Sequence, residues 1–194
     1  MLLLFDYDGV IVDSFNRLLE LCIEAQRTLG HGRAPKADDF RTIENLDFDS
    51  VAELIGIPAD LAAEFSATVF SLQKASWSVH AFPEIAEVFR ELSRNHTIAV
   101  VTASQTQAVE ATLHHENLHT SIAAVLGGDS GGSKAERIAL AMDRFSATAR
   151  NTLMTGDAIS DIRQGKLAGV RTVAVSWGFQ DRQLLANENP DFVI

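Results

Sequence analysis

Two aspartates near the start of the chain have the residue type and the spacing that a chemical site would require. Asp6 and Asp8 directly follow the apolar run Leu2–Phe5, which is typical of a strand buried on both faces. Side chains alternate along a strand, so residues two apart leave it on the same side, and Gly9 allows the backbone to turn there. Two carboxylates beside a hydrophobic core repel each other and lose hydration, so this pair predicts a bound cation.

Other polar residues lie just after later predicted strands, or at the start of the helix that follows such a strand. These residues are Thr102, Lys134, Asp157 and Asp161. Ligands of open α/β sheets bind at the carboxyl ends of the strands, so we expect all of them to lie with Asp6 and Asp8 at one edge. Carboxylates, a hydroxyl and an ammonium make a hard, oxygen-rich site that suits Mg²⁺ shared with a substrate phosphate, and does not suit zinc.

The chemistry that such a site could perform is phosphoryl transfer to a carboxylate. One aspartate would attack phosphorus, and a second, protonated, would give its proton to the leaving alkoxide and then activate water. Attack by an anion on phosphate requires that a metal and hydrogen-bond donors neutralise the phosphoryl oxygens. Thr102 and nearby backbone amides would hold the phosphate, and Lys134 would offset its charge and that of the nucleophile.

The elements that position these residues can be predicted from hydrophobic periodicity. Helices and strands alternate from residue 84 onward, with strands predicted at 97–101, 122–126, 152–154, 171–175 and 192–194. This alternation predicts an α/β fold with a mostly parallel sheet. Ser14 is predicted to cap a helix that reaches about Leu29. Residues 35–80 have only helical periodicity, which predicts a small helical domain inserted into the α/β chain.

Composition narrows the possible partners and location. The chain has 194 residues and a formal net charge of −10, which argues against nucleic acid or an anionic membrane as the main partner. The single cysteine, Cys22, excludes internal disulfides and fits a reducing compartment. No apolar run is long enough to span a bilayer and no signal peptide is evident, so we expect a cytoplasmic protein, monomeric or homodimeric.

The order of these motifs resembles that of the haloacid dehalogenase superfamily. Residues 6–14, Asp-Tyr-Asp-Gly-Val-Ile-Val-Asp-Ser, resemble its first motif, Thr102 its second and Lys134 its third. Gly156-Asp157 with Asp161 resembles the fourth, so the resemblance covers most of the chain.

The resemblance implies a Rossmann-like three-layer core, residues 1–14 and 81–194, with a helical cap at residues 15–80. Asp6 would be the nucleophile and Asp8 the general acid and base. The implied Mg²⁺ ligands are Asp6, the backbone carbonyl of Asp8, Asp157 and Asp161, the last directly or as a partner of a ligand. The substrate, a small phosphorylated metabolite, would be bound by Gly9, Thr102, Ala103 and Lys134, with Arg41 of the cap at its far end.

Single positions separate the branches of the superfamily. Asp8 favours phosphate esters over haloacids, because dehalogenases do not need that acid. Sugar phosphomutases of this branch have a cap histidine where this chain has Leu18, so hydrolysis is favoured, with the phosphomutase as the alternative. The sequence Trp177-Gly178-Phe179 resembles phosphoglycolate phosphatase-like members.

Several features depart from the family pattern or suggest another class. Ala103 replaces an asparagine that is frequent after the second motif, and Ala135 replaces a proline after the third. The glycine-rich run at residues 127–132 predicts a flexible loop. A phospho-aspartate receiver module of signalling proteins uses similar residues, but receivers are shorter, are phosphorylated on an aspartate well after the first strand and have no helical insertion.

Overall fold

The computed structural model describes residues 1–44, 46–76 and 78–194. Within these residues, six strands form one parallel sheet, with the bounds β1 Leu2–Phe5, β2 Thr97–Val101, β3 Ala124–Leu126, β4 Thr152–Gly156, β5 Arg171–Ala174 and β6 Phe192–Val193. Their order is β3-β2-β1-β4-β5-β6, and every pair is parallel. The predicted α/β class and parallel sheet are therefore confirmed, and β3 begins two residues later than predicted.

The helices before the second strand are α1 Phe15–Leu29, α2 Ala37–Thr42, α3 Phe48–Leu54, α4 Ala62–Ser76 and α5 Ile85–Leu92. The later helices are α6 Thr106–His115, α7 Lys134–Arg144, α8 Ile159–Leu167 and α9 Arg182–Asn187. Within the described part of the chain, none of these helices combines the length and the apolar character that crossing a bilayer requires.

The sheet is the middle of three layers, because alternate residues of its central strand enter different hydrophobic clusters. Leu3 of β1 packs in a cluster that contains Phe89 of α5 and Leu113 of α6. Leu2 and Leu4 pack in a second cluster with residues of α7. This is why the run Leu2–Phe5 is apolar at consecutive positions: both faces of β1 are covered.

Helices α1 to α4 share a hydrophobic cluster, which Phe179 from the loop after β5 also joins. Its buried members include Leu21, Cys22, Phe40 and Phe65. Cys22 is fully buried. The backbone segments that flank these helices pair with each other, since Asp13 N donates to the His80 carbonyl at 2.9 Å. The division into a core and a cap at residues 14 and 81 stays a prediction.

Ser14 does not cap α1 with its side chain, contrary to the prediction. Its backbone has φ −100° and ψ −5°, and its hydroxyl accepts no capping hydrogen bond. A capping serine needs extended backbone angles to turn its oxygen toward the first helical N–H groups. The side chain is instead fully buried beside Asp8.

Candidate active site

The first aspartate lies where the chain changes direction across the sheet. The chain runs from the central strand β1 outward through β2 and β3 and then returns to β4 on the other side of β1. Asp6 N donates to the Thr155 carbonyl at 2.9 Å, so Asp6 continues the ladder between β1 and β4. A topological switch point of this kind is where open α/β sheets bind ligands.

Gly9 is required here for two reasons. Its φ is +73°, and a Cβ at this position would lie 2.1 Å from Asp157 Oδ2. A side chain would therefore be strained and would also displace a carboxylate from the site. The glycine of the first motif thus lets the first loop approach the fourth motif.

Three carboxylates and one ammonium group converge at this edge. Asp6, Asp157 and Asp161 each offer an oxygen, and these oxygens lie within 4.8 Å of one another. Lys134 Nζ lies 2.5 Å from Asp161 Oδ1 and 3.2 Å from Asp6 Oδ2. The Asp161 side chain is 1% exposed and the Asp6 side chain 13%. The predicted convergence of motifs one, three and four is what the structure shows.

The electrostatics of this group favour an additional cation. Burial raises the pKa of Asp6 to about 7, although Lys134 acts in the opposite direction, and burial also raises the pKa of Asp157 well above its usual value. Burial opposes the charge of Lys134, but Asp161 and Asp6 raise its pKa, so it stays protonated. One ammonium cannot balance three carboxylates, and Asp6 Oδ1 is buried without a hydrogen-bond partner. An all-oxygen donor set with surplus negative charge fits Mg²⁺.

Asp161 also organises the start of α8. Its Oδ2 accepts hydrogen bonds from the backbone N–H groups of Asp157 and Ala158, both at 3.1 Å. A Cβ on Gly156 would lie 2.2 Å from the Asp161 Cβ. The glycine before Asp157 is therefore needed so that the Asp161 carboxylate can pack against the end of β4.

The loop at residues 177–179, after β5, orients Asp157. In the sequence, only a resemblance to the family drew attention to this loop. Phe179 N donates to Asp157 Oδ2 at 2.7 Å, and a Cβ on Gly178 would lie 2.2 Å from the same oxygen. The Phe179 ring packs edge-on against Phe15 of α1, with ring centroids 5.1 Å apart. Nothing in the local sequence pattern signals that this backbone amide would bind a carboxylate from another strand.

Asp8 lies outside the three-carboxylate group and faces the loop after β2. Ser104 Oγ donates to Asp8 Oδ2 at 2.7 Å, and Ser104 N donates to Thr102 Oγ1 at 3.1 Å. Burial raises the pKa of Asp8, while the hydroxyls of Ser104 and Ser14 and the charge of Lys134 lower it. Ser104 was missed in the sequence, because a serine after a strand is too common to single out.

The glycine-rich loop is hydrogen-bonded through Gly128 and Asp129, and the flexibility predicted for it stays a prediction. Asp129 Oδ1 accepts from both the backbone N and the hydroxyl of Thr106 at 2.8 Å, and Gly128 N donates to the Ser104 carbonyl at 2.9 Å. A Cβ on Gly128 would lie 2.3 Å from the Ala103 carbonyl oxygen. The glycines thus permit close packing of this loop against the loop that carries Thr102 and Ala103.

Arg41 lies at the edge of the helical segment beside the loop after β5. Its guanidinium is 3.8 Å from Asp181 and lies over the ring of Phe15 at 5.4 Å. Arg41 is about half exposed. Its contact with a substrate stays a prediction.

Comparison with known proteins places the chain in a family. The sequence model of the haloacid dehalogenase-like hydrolases matches residues 3–175. A phosphoglycolate phosphatase from Vibrio parahaemolyticus is 27% identical, over 99% of this chain and 90% of its own. The pyrophosphatase PpaX from Oceanobacillus iheyensis is 26% identical, over 99% of this chain and 91% of its own.

Among solved structures, a haloacid dehalogenase-like hydrolase from Bacteroides fragilis superposes with a TM-score of 0.87 at 21% identity. The match covers 100% of this chain and 95% of that one, so the two share a fold. With the family sequence model spanning motifs one to four, this chain belongs to the haloacid dehalogenase-like hydrolases.

Proposed function

We propose that this chain is a Mg²⁺-dependent phosphatase that hydrolyses a small phosphomonoester through a phosphorylated Asp6. The observation that carries the proposal is the convergence of Asp6, Asp157 and Asp161 around Lys134 where β1 and β4 end. Relatives named phosphoglycolate phosphatase support the same reaction class.

Asp6, Asp157, Asp161 and the backbone carbonyl of Asp8 would hold the ion. When bound, Mg²⁺ supplies positive charge that offsets the carboxylates and the phosphoryl oxygens. Lys134 lies beside Asp6 and lowers the pKa that burial raises, which favours the ionised form needed for attack. Thr102, buried at the end of β2, and the backbone of Gly9 and Ala103 would donate to the phosphoryl group.

In the first step an Asp6 oxygen forms a bond to phosphorus while the bond from phosphorus to the ester oxygen breaks. Asp8 gives its carboxylic proton to the leaving alkoxide, which departs as an alcohol. The raised pKa of Asp8 supports this role, because the acid must be protonated when the substrate arrives. Ser104 fixes the orientation of the Asp8 carboxyl by donating to Oδ2.

In the second step water attacks the phosphorus of the aspartyl-phosphate, and the bond between Asp6 and phosphorus breaks. Asp8, now a carboxylate, takes the proton from that water, which returns both aspartates to their starting states. Inorganic phosphate is released.

Phosphoglycolate is the proposed substrate, because curated relatives across the full length of the chain carry that name. Arg41, at the edge of the helical segment, would contact the carboxylate group of the bound phosphoglycolate. A relative named pyrophosphatase makes pyrophosphate the second compound to test.

The test is phosphate release from phosphoglycolate, pyrophosphate, a sugar phosphate and p-nitrophenyl phosphate, each with EDTA and after Mg²⁺ is restored. We expect turnover of at least one monoester that EDTA abolishes and Mg²⁺ restores. Folded protein that releases phosphate from none of them would contradict the proposal, as would turnover that EDTA leaves unchanged.

A further inference from the structure

Gln180 is a buried amide whose two ends contact different parts of the molecule. The residue is 2% exposed. Its Oε1 accepts from Ile159 N at 2.5 Å, and its Nε2 donates to the Ile43 carbonyl at 2.5 Å. Because an N–H faces one end and a carbonyl oxygen the other, one orientation of the amide satisfies both.

One end completes the hydrogen bonding at the start of α8. The N–H groups of Asp157 and Ala158 donate to the Asp161 carboxylate, and the next N–H along the chain, that of Ile159, donates to Gln180. Side chains therefore hold the consecutive donors at this helix start in place. The Gln180 side chain thus fixes the turn that carries both Asp157 and Asp161.

The other end holds the segment that follows α2. Asp181 also contacts residues 41–44, since its N–H donates to the Arg41 carbonyl at 3.2 Å and its carboxylate lies 3.8 Å from the Arg41 guanidinium. In addition, Arg163 Nη1 forms an ion pair with Glu44 Oε1 at 2.7 Å. The ion pair is 47% and 66% exposed, so water and salt weaken it. The Gln180 side chain is buried and its bond to the half-buried Ile43 is partly shielded from water, so water and salt weaken this bond less than the ion pair.

We propose that Gln180 is a positioning residue, whose amide couples the docking of residues 41–44 on the core to the placement of Asp157 and Asp161. Its kinetic consequence rests on the proposed function. When residues 41–44 leave the core, the fraction of molecules ready to bind substrate falls, and the apparent affinity falls by the same factor. KM therefore depends on Gln180 more strongly than kcat does.

The test compares Gln180→Glu with Gln183→Glu. The first variant keeps an acceptor for Ile159 N but places a carboxylate oxygen against the Ile43 carbonyl. The second adds the same charge at an exposed position of α9. For Gln180→Glu we expect faster hydrogen exchange of the backbone amides in residues 37–44 and a KM raised about tenfold, with kcat changed less than about threefold. Gln183→Glu should change neither quantity.

Wild-type exchange in residues 37–44 together with a wild-type KM in Gln180→Glu would overturn the proposal. Faster exchange throughout the sheet would overturn it as well, since it would show a general loss of stability. If Gln180→Glu does not fold, the pair Gln180→Met and Gln183→Met gives the same comparison without an added charge. If the wild-type protein turns over no phosphate ester, the proposed function fails, and the exchange measurement still tests the link.

Discussion

Helix α8 carries two charge clusters that use the same chemical groups in opposite surroundings. Asp161 points inward, where three carboxylates gather around Lys134. Two residues later, Arg163 points outward and pairs with Glu44 at 2.7 Å and Glu188 at 2.9 Å. The inner cluster has surplus negative charge and almost no water, since Asp161 is 1% exposed, whereas Arg163 is 47% exposed.

The difference in burial between the two clusters predicts different contributions to stability and to function. An exposed ion pair costs little desolvation and contributes little, about 0–1 kcal/mol. Buried like charges cost several kcal/mol unless they are paired or bind a metal. Burial and mutual repulsion both oppose the inner cluster, and the proposed function accounts for its presence. Its members should therefore dominate activity, whereas the outer cluster should affect neither activity nor folding strongly.

The largest effect is expected for Asp6→Asn. Removing the proposed nucleophile should lower kcat by at least about three orders of magnitude, while the metal-free protein should fold as well as the wild type or better, because one buried charge is gone. Phosphate release and thermal unfolding measure both quantities. Asp143→Asn, on the exposed side of α7, is the matched control and should leave both unchanged. Near-normal turnover by Asp6→Asn would assign the nucleophile elsewhere.

Lys134→Met should come next. Without this ammonium, the carboxylates of Asp6 and Asp161 lose their partner, and breaking a buried pair of this kind costs about 3–5 kcal/mol. Denaturant unfolding in EDTA measures the loss, and added Mg²⁺ should restore part of it. Lys74→Met, at an exposed position of α4, serves as the control. A free energy of unfolding equal to that of the control would show that the pair does not compensate the cluster.

The pH dependence of stability should also distinguish the two clusters. The folded protein binds a proton at Asp6 more tightly than the unfolded chain does, because the pKa rises from 3.8 to about 7. The free energy of unfolding without metal should therefore be highest at the acid end of this interval and fall as the pH rises through it. Asp6→Asn should reduce this slope, and denaturant unfolding in EDTA at several pH values measures it. An unchanged slope in the variant would mean that Asp6 titrates normally.

The smallest effect is expected for Arg163→Gln. The loss in free energy of unfolding should be much smaller than that of Lys134→Met, and added salt should reduce it further. Thermal unfolding at low and high salt measures it. A loss as large as that of Lys134→Met would remove the contrast between the two clusters.

The sequence predicted the parts of the site that lie at strand ends or at the start of the helix after a strand. Asp6, Lys134 and Asp157 were brought together correctly, because a parallel sheet places the carboxyl ends of its strands at one edge. The order of strands and helices was also predictable from hydrophobic periodicity. Strand β1 was recognisable because both of its faces are covered, so its residues are uniformly apolar.

The contacts that the sequence did not predict join residues far apart in the chain through unremarkable groups. Ser104 reaches Asp8 across 96 positions, and Gln180 reaches Ile43 across 137. The amide of Phe179 that binds Asp157 belongs to the backbone, which every residue has. Ser14 had the residue type of a helix cap, but its backbone angles turn the hydroxyl away from α1.

The most direct test of whether Asp6 attacks phosphorus is to trap the phosphorylated residue. Enzyme quenched during turnover with Mg²⁺ and substrate would be treated with borohydride, which reduces an acyl phosphate to an alcohol, and its peptides analysed by mass spectrometry. Homoserine is expected at position 6, and it should be absent when substrate is omitted. Active enzyme in which Asp6 remains unmodified, or in which another residue is reduced instead, would contradict it.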